Sequence, residues 1–485
     1  LPYLRQIKKI SRLISILNFD IETKAPPKGM EAENEAVSEL VGKIAEIESD
    51  PRFIEKIEIA YADSSLNEAE RSMVNRLHDN AIFARKVGVE KRIAWNKTIS
   101  KCTEVWRQAK VNGDYDMVLP YFEKTIEAKI EEAEAKRKPH HKTRYDALLE
   151  DYEPGSSEGY LDKVFGELGE FLRKSLPLAL EKQAQKPSLA IPFCRKHQQE
   201  NLSLRLLKLE GFDLERGTIG ESEHPFTDWL GENDYRVTTH YYEDDFRRSL
   251  YSVLHEGGHA IHGQQWGENH FANCLDAQAT SAICETHSRF FENIIGRSAE
   301  FAPHLLGLCR YCFGEEFDHF DNESFLSSIR HVEPSLIRTE ADEFTYCLHI
   351  IIRYEFERNL INGRVKVQDL NHLWNEKYME TLNVHVPSDR DGILQDTHWF
   401  SGLFGYFPSY ALGNIYGAML LRKMEREMPF WDCVKHGDLI PIIEWMREKE
   451  IAFDMLSPND WIKKATGEKL SSAAYIEYLT QRYLK

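Results

Sequence analysis

The sequence predicts a mostly α-helical fold with a small β-sheet beside one helix, and three observations carry that prediction. Apolar residues recur at helical spacing through long stretches of the 485-residue chain. Its 27 glycines and 18 prolines are too few for a β-sandwich or a linker-rich assembly, while a hydrophobic fraction of 42% is ample for a sizeable core. Val, Thr and Tyr concentrate in Asp234 to Tyr241, the best strand candidate, just before an apolar stretch that contains His255-Glu256-Gly257-Gly258-His259.

From Leu4 to Glu58 the spacing is helical on both sides of a break at Lys24 to Gly29. There Pro26 and Pro27 end one helix before Met30 to Ile47 forms the next, giving a hairpin. Glu68 to Glu134 reads as two or three more amphipathic helices, with the charged run Glu123 to Lys138 as a solvated helix face. Pro139 to Lys142 break the pattern. Adjacent histidines point in different directions on a helix, so His140 and His141 read as an exposed turn rather than a metal site. Leu161 to about Lys174 forms another helix, ended or kinked by Pro177. Near Phe212 to Gly231, Gly, Asp, Ser and Pro interrupt the helices before the strand candidate. An edge strand there, running beside the metal, could pair with an extended peptide backbone. Cys309 and Cys312 form a CxxC with no second one nearby, inside the apolar run Leu305 to Phe313, and read as buried helical thiols.

Length alone allows about three domains, but no repeat or disordered linker divides the chain. A formal net charge of -18 argues against a nucleic-acid groove, which needs concentrated Lys and Arg. Eight scattered cysteines form no disulfide framework, so a reducing compartment is expected. No apolar run reaches about 18 residues, and the basic segment Leu1 to Ile10 lacks the apolar centre of a signal peptide; the expectation is a cytoplasmic protein that does not enter a membrane.

On a helix, positions i and i+4 share one face, so His255 and His259 can reach one metal ion while Glu256 lies beside the place of a metal-bound water. Zinc lowers the pKa of such a water towards 7, and Glu256 can take its proton as it attacks a carbonyl. Gly257 and Gly258 each cost about 1 kcal/mol in a helix interior, which predicts that a neighbouring element or the substrate approaches more closely than a Cβ permits. Two histidines leave the metal short of ligands. Glu285 supplies the third, in a second helical stretch, Ala277 to Ile294, where Ser281 and Ala282 one turn earlier leave room. Two His and one Glu with an open fourth position is a hydrolytic ligand set rather than a structural one.

Ile337 to Arg353 reads as a largely buried helix with a polar stripe, Arg338, Asp342, Thr345 and His349, on one face. The stripe is either a satisfied core network or, facing a cleft, a site where Arg338 anchors a carboxylate bidentately. Asp389 to Gly417 combines five glycines with His398, Trp399, Tyr406, Phe407 and Tyr410 and reads as Gly-hinged aromatic loops over a site. His398 or a tyrosine could donate to an oxyanion, whereas Trp399 and Phe407 read as core.

Taken in order, these motifs resemble the M32 family of metallocarboxypeptidases, the carboxypeptidase Taq family. His224-Pro225-Phe226 matches its HPF, Asp234 through Thr238 its DxRxT, His255 through His259 its HExxH, Ile337 through Asp342 its IRxxAD, and Gly392 through Trp399 its GxxQDxHW. The resemblance implies a zinc enzyme that removes single residues from peptide C-termini with broad specificity. It implies a single peptidase domain (1–485), bilobed around a deep groove, with residues 1–215 as one helical wall and 216–485 bearing the zinc, commonly as a homodimer. It further implies that His255, His259 and Glu285 bind Zn2+ (Co2+ or another divalent metal being possible), that Glu256 is general base and then acid, and that Arg338 holds the substrate carboxylate, with His398, Tyr406, Tyr410 and Arg236 also facing substrate. One motif departs: the family's HES/GQ is Cys284-Glu285-Thr286-His287 here, which keeps the ligand and alters its surroundings. His287 could compete as a ligand, although two residues beyond Glu285 it points away on a helix. A zinc oligopeptidase or endopeptidase on a related fold, and a silent peptide-binding homologue, are the alternatives.

Overall fold

The computed structural model describes residues 2–26, 28–187, 189–265, 280–451 and 456–485. Pro27 of the predicted hairpin break and residues 277–279 of the predicted third-ligand helix lie outside these. The N-terminal helices are α1 (Pro2–Thr23), α2 (Met30–Glu48), α3 (Pro51–Ala62), α4 (Glu68–Val87), α5 (Val89–Asn112) and α6 (Tyr115–Lys136), so Glu68 to Glu134 holds three helices. Their ends follow from capping: Asn67 and Glu70 form a reciprocal box at α4, and Asp114 accepts from the Met117 N–H at α6. A small cluster of Phe53, Ile57 and Ala81, with Tyr3, Leu4, Ile7, Ile47 and Leu77 against it, holds α1, α3 and α4 together.

Next come α7 (Arg144–Leu149), α8 (Glu158–Ala184) and α9 (Lys196–Glu210), then β1 (Gly217–Glu221), β2 (Thr227–Gly231) and β3 (Asp234–Thr239). Helix α8 continues through Pro177 rather than ending there. Its buried face, Leu161, Val164, Phe165, Leu168, Leu172, Leu176 and Ala179, continues across the proline. Burying several such side chains at roughly 2 kcal/mol each outweighs the ~3 kcal/mol that an interior proline costs. The charged run on α6 is not simply solvated: Thr125, Ile126, Lys129 and Ala133 are buried, and Lys129 pairs with Glu132. His140 is exposed but His141 is buried.

The sheet order is β1-β3-β2, with β1 parallel and β2 antiparallel to β3. The predicted strand is therefore present but central, not an edge: Tyr235, Val237, Thr238 and Thr239 are buried. Among the described strands β2 forms the edge beside the metal helix, and a five-residue strand containing Asp and Gly carries little sequence signal.

The remaining helices follow: α10 (Phe246–Gln264), α11 (Ser281–Arg289), continued by a π-helical turn at Phe290–Ile295, α12 (Ala302–Phe313), α13 (Asn322–Ile329), α14 (Tyr346–Ile361), α15 (Leu370–Leu382), α16 (Phe407–Glu427), α17 (Phe430–His436), α18 (Ile440–Ile451), α19 (Pro458–Thr466) and α20 (Ala473–Leu479). Cys309 and Cys312 are buried in α12, as predicted. One continuous core runs from Cys102 to Tyr483 and includes Trp399 and Phe407. The stripe from Arg338 to His349 does not lie on one helix. Arg338 sits in a short 3-10 turn, and α14 begins only at Tyr346. Asp342 accepts from the Phe344 and Thr345 N–H groups and from the Thr345 hydroxyl, an alternative to helical bonding that holds this segment out of the helix.

Candidate metal centre and active site

Helix α10 starts at Asp245, whose carboxylate accepts from the Arg247 N–H, and presents His255 and His259 one turn apart. The two glycines between them let neighbours in. A Cβ on Gly258 would lie 2.8 Å from the His287 carbonyl oxygen and from Ser288 Cα, so α10 and α11 touch backbone to backbone. A Cβ on Gly257 would meet the Glu210 carboxylate at 2.2 Å. On the far side, a Cβ on Gly413 of α16 would sit 2.8 Å from Glu285 Cγ. Glycines on both flanks thus wedge α11 between α10 and α16, which is the close packing that the HEGGH sequence predicts.

That wedge brings Glu285 Oε2 to 3.5 Å from His259 Nε2 and 3.8 Å from His255 Nε2. The other carboxylate oxygen, Oε1, accepts from Arg289 Nε at 2.8 Å, one turn along α11. His255 Nδ1 lies 2.8 Å from Glu292 Oε2. A carboxylate can only accept, so Nδ1 carries a proton, and Nε2 is the atom left to face a metal ion. Glu292 is held in turn by Arg289 Nη1 at 2.9 Å. Burial would push both carboxyls up. For Glu285 the charges of His255, Arg289 and His259 override that and hold it far below the usual range; for Glu292, Arg289 and the His255 bond hold it at about 2. Both are carboxylates at neutral pH.

The donor set fits a divalent ion. A tetrahedral ion with bonds of about 2.0–2.2 Å needs ligand atoms roughly 3.3–3.6 Å apart, close to the separations here, and His255, His259 and Glu285 form a candidate metal group. Cys284 is no rival ligand: burial, and then the charges of Glu450, Glu285 and Glu153, push its thiol far up. Nor does His287 compete. It faces away from this centre, stacked on His262 with ring centroids 4.3 Å apart.

Glu256 is buried, and its Oε2 accepts from the Thr227 hydroxyl at 2.7 Å. The HPF and DxRxT motifs explain that contact. Thr238 Oγ1 accepts from the Phe226 N–H at 2.9 Å, and the Thr238 N–H donates to the Phe226 carbonyl at 2.9 Å, which sets the next residue, Thr227, against α10. Arg236 does something else. It pairs with Asp234 at 2.9 Å and lies over the Phe19 ring of α1, and none of its contacts among the described residues joins it to the metal group.

Arg338 lies in a buried network that unites the IRxxAD and GxxQDxHW motifs. Its Nε and Nη2 donate to Asp396 Oδ1 at 3.0 and 2.8 Å, Arg353 Nε donates to Asp396 Oδ2 at 2.7 Å, and Gln395 Oε1 accepts from the Arg338 N–H and from Arg353 Nη2. Arg338 Nη1 faces the Tyr346 hydroxyl at 3.4 Å, and its guanidinium lies over the Tyr410 ring. His398 Nε2 is 3.2 Å from the Tyr410 hydroxyl, and the Tyr406 and Tyr410 rings meet edge to face. Burial, then the charge of Glu285, pushes Tyr406 up to about 12, while burial pushes His398 down to about 4 despite Asp396. At neutral pH both tyrosines are proton donors and His398 is uncharged.

Sequence reasoning singles out the candidate ligands His255, His259 and Glu285 and the candidate base Glu256, and it does not point to Glu292, Arg289 or Thr227. The spacing of Arg289, four residues beyond Glu285 on one helix, was a usable signal; Glu292 and Thr227 reach α10 from distant segments.

A profile of the family described as carboxypeptidase Taq (M32) metallopeptidase matches residues 1–483. Carboxypeptidase 1 of Bacillus subtilis is 36% identical over 99% of this chain and 96% of its own. Among solved structures, the chain is similar to Trypanosoma cruzi metallocarboxypeptidase 1, with a TM-score of 0.95 and 30% identity over 100% of this chain and 98% of the other. It is also similar to Pyrococcus furiosus carboxypeptidase, with a TM-score of 0.94 and 31% identity over 99% and 97%. No helix among the described residues is long and apolar enough to cross a membrane.

Proposed function

The chain belongs to the carboxypeptidase Taq (M32) family of metallopeptidases, and on that premise we propose that it uses zinc, held by His255, His259 and Glu285, to remove C-terminal residues from peptides with broad specificity. The observation that carries the reading is the divided carboxylate of Glu285, with one oxygen on Arg289 and the other facing both imidazoles. Bound there, zinc supplies the Lewis acidity that activates a water and polarises the scissile carbonyl.

The protein's own groups do the rest. Glu256 takes the proton from the attacking water and returns it to the leaving amine, with the Thr227 hydroxyl holding the carboxylate in place. Arg338 and Arg353 share the single carboxylate of Asp396, so this buried trio carries one net positive charge. That charge, beside the Tyr410 ring, suits a substrate's terminal carboxylate approaching Arg338 Nη1. Tyr406 or Tyr410, with His398 neutral beside them, donates to the oxygen on which negative charge develops. Residues 1–215 form one wall of the peptide groove, 216–485 the other, and the working form is a cytoplasmic homodimer. Arg236 orders α1 along that wall rather than touching substrate.

Mass spectrometry of an unblocked peptide incubated with zinc-loaded protein tests this reading. Stepwise loss of C-terminal residues is expected, absent in Glu256→Gln and absent when the peptide ends in an amide. Cleavage of the amidated peptide at undiminished rate would sink the assignment of Arg338.

A further inference from the structure

A second cluster of ligand-type side chains lies behind the metal helix. His262 on α10, His287 on α11 and Glu450 on α18 are each at most 3% exposed, and their donor atoms lie within 4.8 Å of one another. His262 Nε2 is in direct contact with Glu450 Oε1, and His287 Nε2 lies 3.2 Å from Glu450 Oε2. The two imidazoles stack at an interplanar angle of 21°.

One buried lone pair in this cluster has no donor. His287 Nδ1 lies 3.2 Å from the Ile283 carbonyl, one turn back on α11. A carbonyl only accepts, so Nδ1 carries the proton and Nε2 has only a lone pair. That lone pair faces Glu450 Oε2, and His287 Nε2 has no hydrogen-bond partner. A buried imidazole lone pair with no donor, 3.2 Å from a carboxyl oxygen and beside a second imidazole, is a set of groups that a cation would satisfy. A separation of 3.2 Å is close to the edge of a zinc coordination polyhedron with bonds of about 2.0–2.1 Å. The backbone carbonyl on Nδ1 is also the kind of outer contact that orients metal-bound histidines.

The cluster of His140, His141 and Glu150 offers no such lone pair. His141 Nδ1 accepts from the Lys138 N–H, which leaves the proton on Nε2 and no lone pair facing Glu150.

We infer that His262, His287 and Glu450 form a second, structural divalent-metal site of zinc type, one helical turn behind the proposed catalytic one. As the ion enters, the His262 proton shifts from Nε2 to Nδ1, so both rings present Nε2 and no proton need leave. The ion ties α18 to both helices that bear catalytic ligands, and it assigns a role to the His287 departure in the third-ligand motif. The site does not depend on the catalytic reading.

Zinc per chain decides the matter, measured by plasma mass spectrometry on protein expressed in zinc-supplemented medium and desalted. The expected contents are two for the wild type, one for Glu450→Gln, one for Glu285→Gln and none for the double variant. One zinc in the wild type, kept in Glu450→Gln and lost in Glu285→Gln, overturns the inference and leaves a proton in the cluster. One zinc lost in Glu450→Gln but kept in Glu285→Gln supports the second site while refuting the catalytic ligand set. Should Glu450→Gln not fold by circular dichroism, Glu285→Gln decides alone: one retained zinc supports the site, none refutes it.

Discussion

Replacing Gly258 by alanine probes why the metal helix tolerates glycine. The added Cβ would lie 2.8 Å from the His287 carbonyl oxygen and Ser288 Cα and 3.1 Å from the His287 carbonyl carbon, all backbone atoms that cannot rotate aside. Comfortable carbon contacts need about 3.5–4.0 Å, so α10 and α11 must part by roughly 0.7–1 Å. Overpacking of this kind costs about 1–3 kcal/mol, against a gain of about 1 kcal/mol from replacing a helical glycine. The metal-free protein should therefore lose up to roughly 2 kcal/mol. Zinc should suffer more, because Glu285 Oε2 stands at 3.5 and 3.8 Å from the two imidazole nitrogens and coordination tolerates only about ±0.2 Å. A loss of affinity of about 10–100-fold is expected, the usual scale for disturbed ligand orientation. Chelator competition reads the affinity, and unfolding with and without chelator reads the stability. Gly307→Ala is the control. That glycine lies in α12, and a Cβ there would have no heavy atom within 4 Å, so alanine should stabilise by about 0.5–1 kcal/mol. If Gly258→Ala behaved like Gly307→Ala, with zinc affinity unchanged, the argument that glycine exists here for close approach would be wrong.

Arg289→Met should weaken zinc about 10–100-fold with the fold retained, since it frees Glu285 Oε1 and Glu292 together; full affinity in that variant would remove Arg289 from the site. Thr227→Val deletes the hydroxyl on Glu256. It should lower kcat about 10–100-fold, the scale of a hydrogen bond to a charged group, with zinc content unchanged, which steady-state kinetics and metal analysis together can check. Glu357 is buried, bonded to Tyr145 and Trp399, and pushed by burial from 4.5 to about 8. The folded chain keeps a proton that the unfolded chain releases above 4.5, so stability from this group is full below that pH and falls as pH rises to about 8. The loss is on the order of 5 kcal/mol. Urea unfolding should find Glu357→Gln gaining on the wild type between about pH 5 and 8, and an equal pH slope in both would exclude a protonated Glu357.

What the sequence determines by itself is whatever depends on short covalent spacing. His255 and His259 must share a face if the segment is helical, and Glu256 must lie beside them, because about 3.6 residues make a turn. Two glycines inside that helix announce close packing before any neighbour is known. Where a local rule met a competing interaction, the tertiary structure decided. Pro177 does not end α8 because the apolar face beyond it is buried. Arg338 leaves the helix that its spacing suggests because Asp342 offers the backbone other bonds and Asp396 claims the guanidinium. The strand beside the metal is central because two weak five-residue segments pair with it. Partners remote in the chain could be reached only by folding: Glu292 sets the tautomer of His255 from 37 residues away, Thr227 holds Glu256 from 29, and Glu450 meets His262 from 188. Periodicity says which way a side chain points along its own element. It says nothing about which other element stands opposite, since that depends on how every buried face in the chain is satisfied at once.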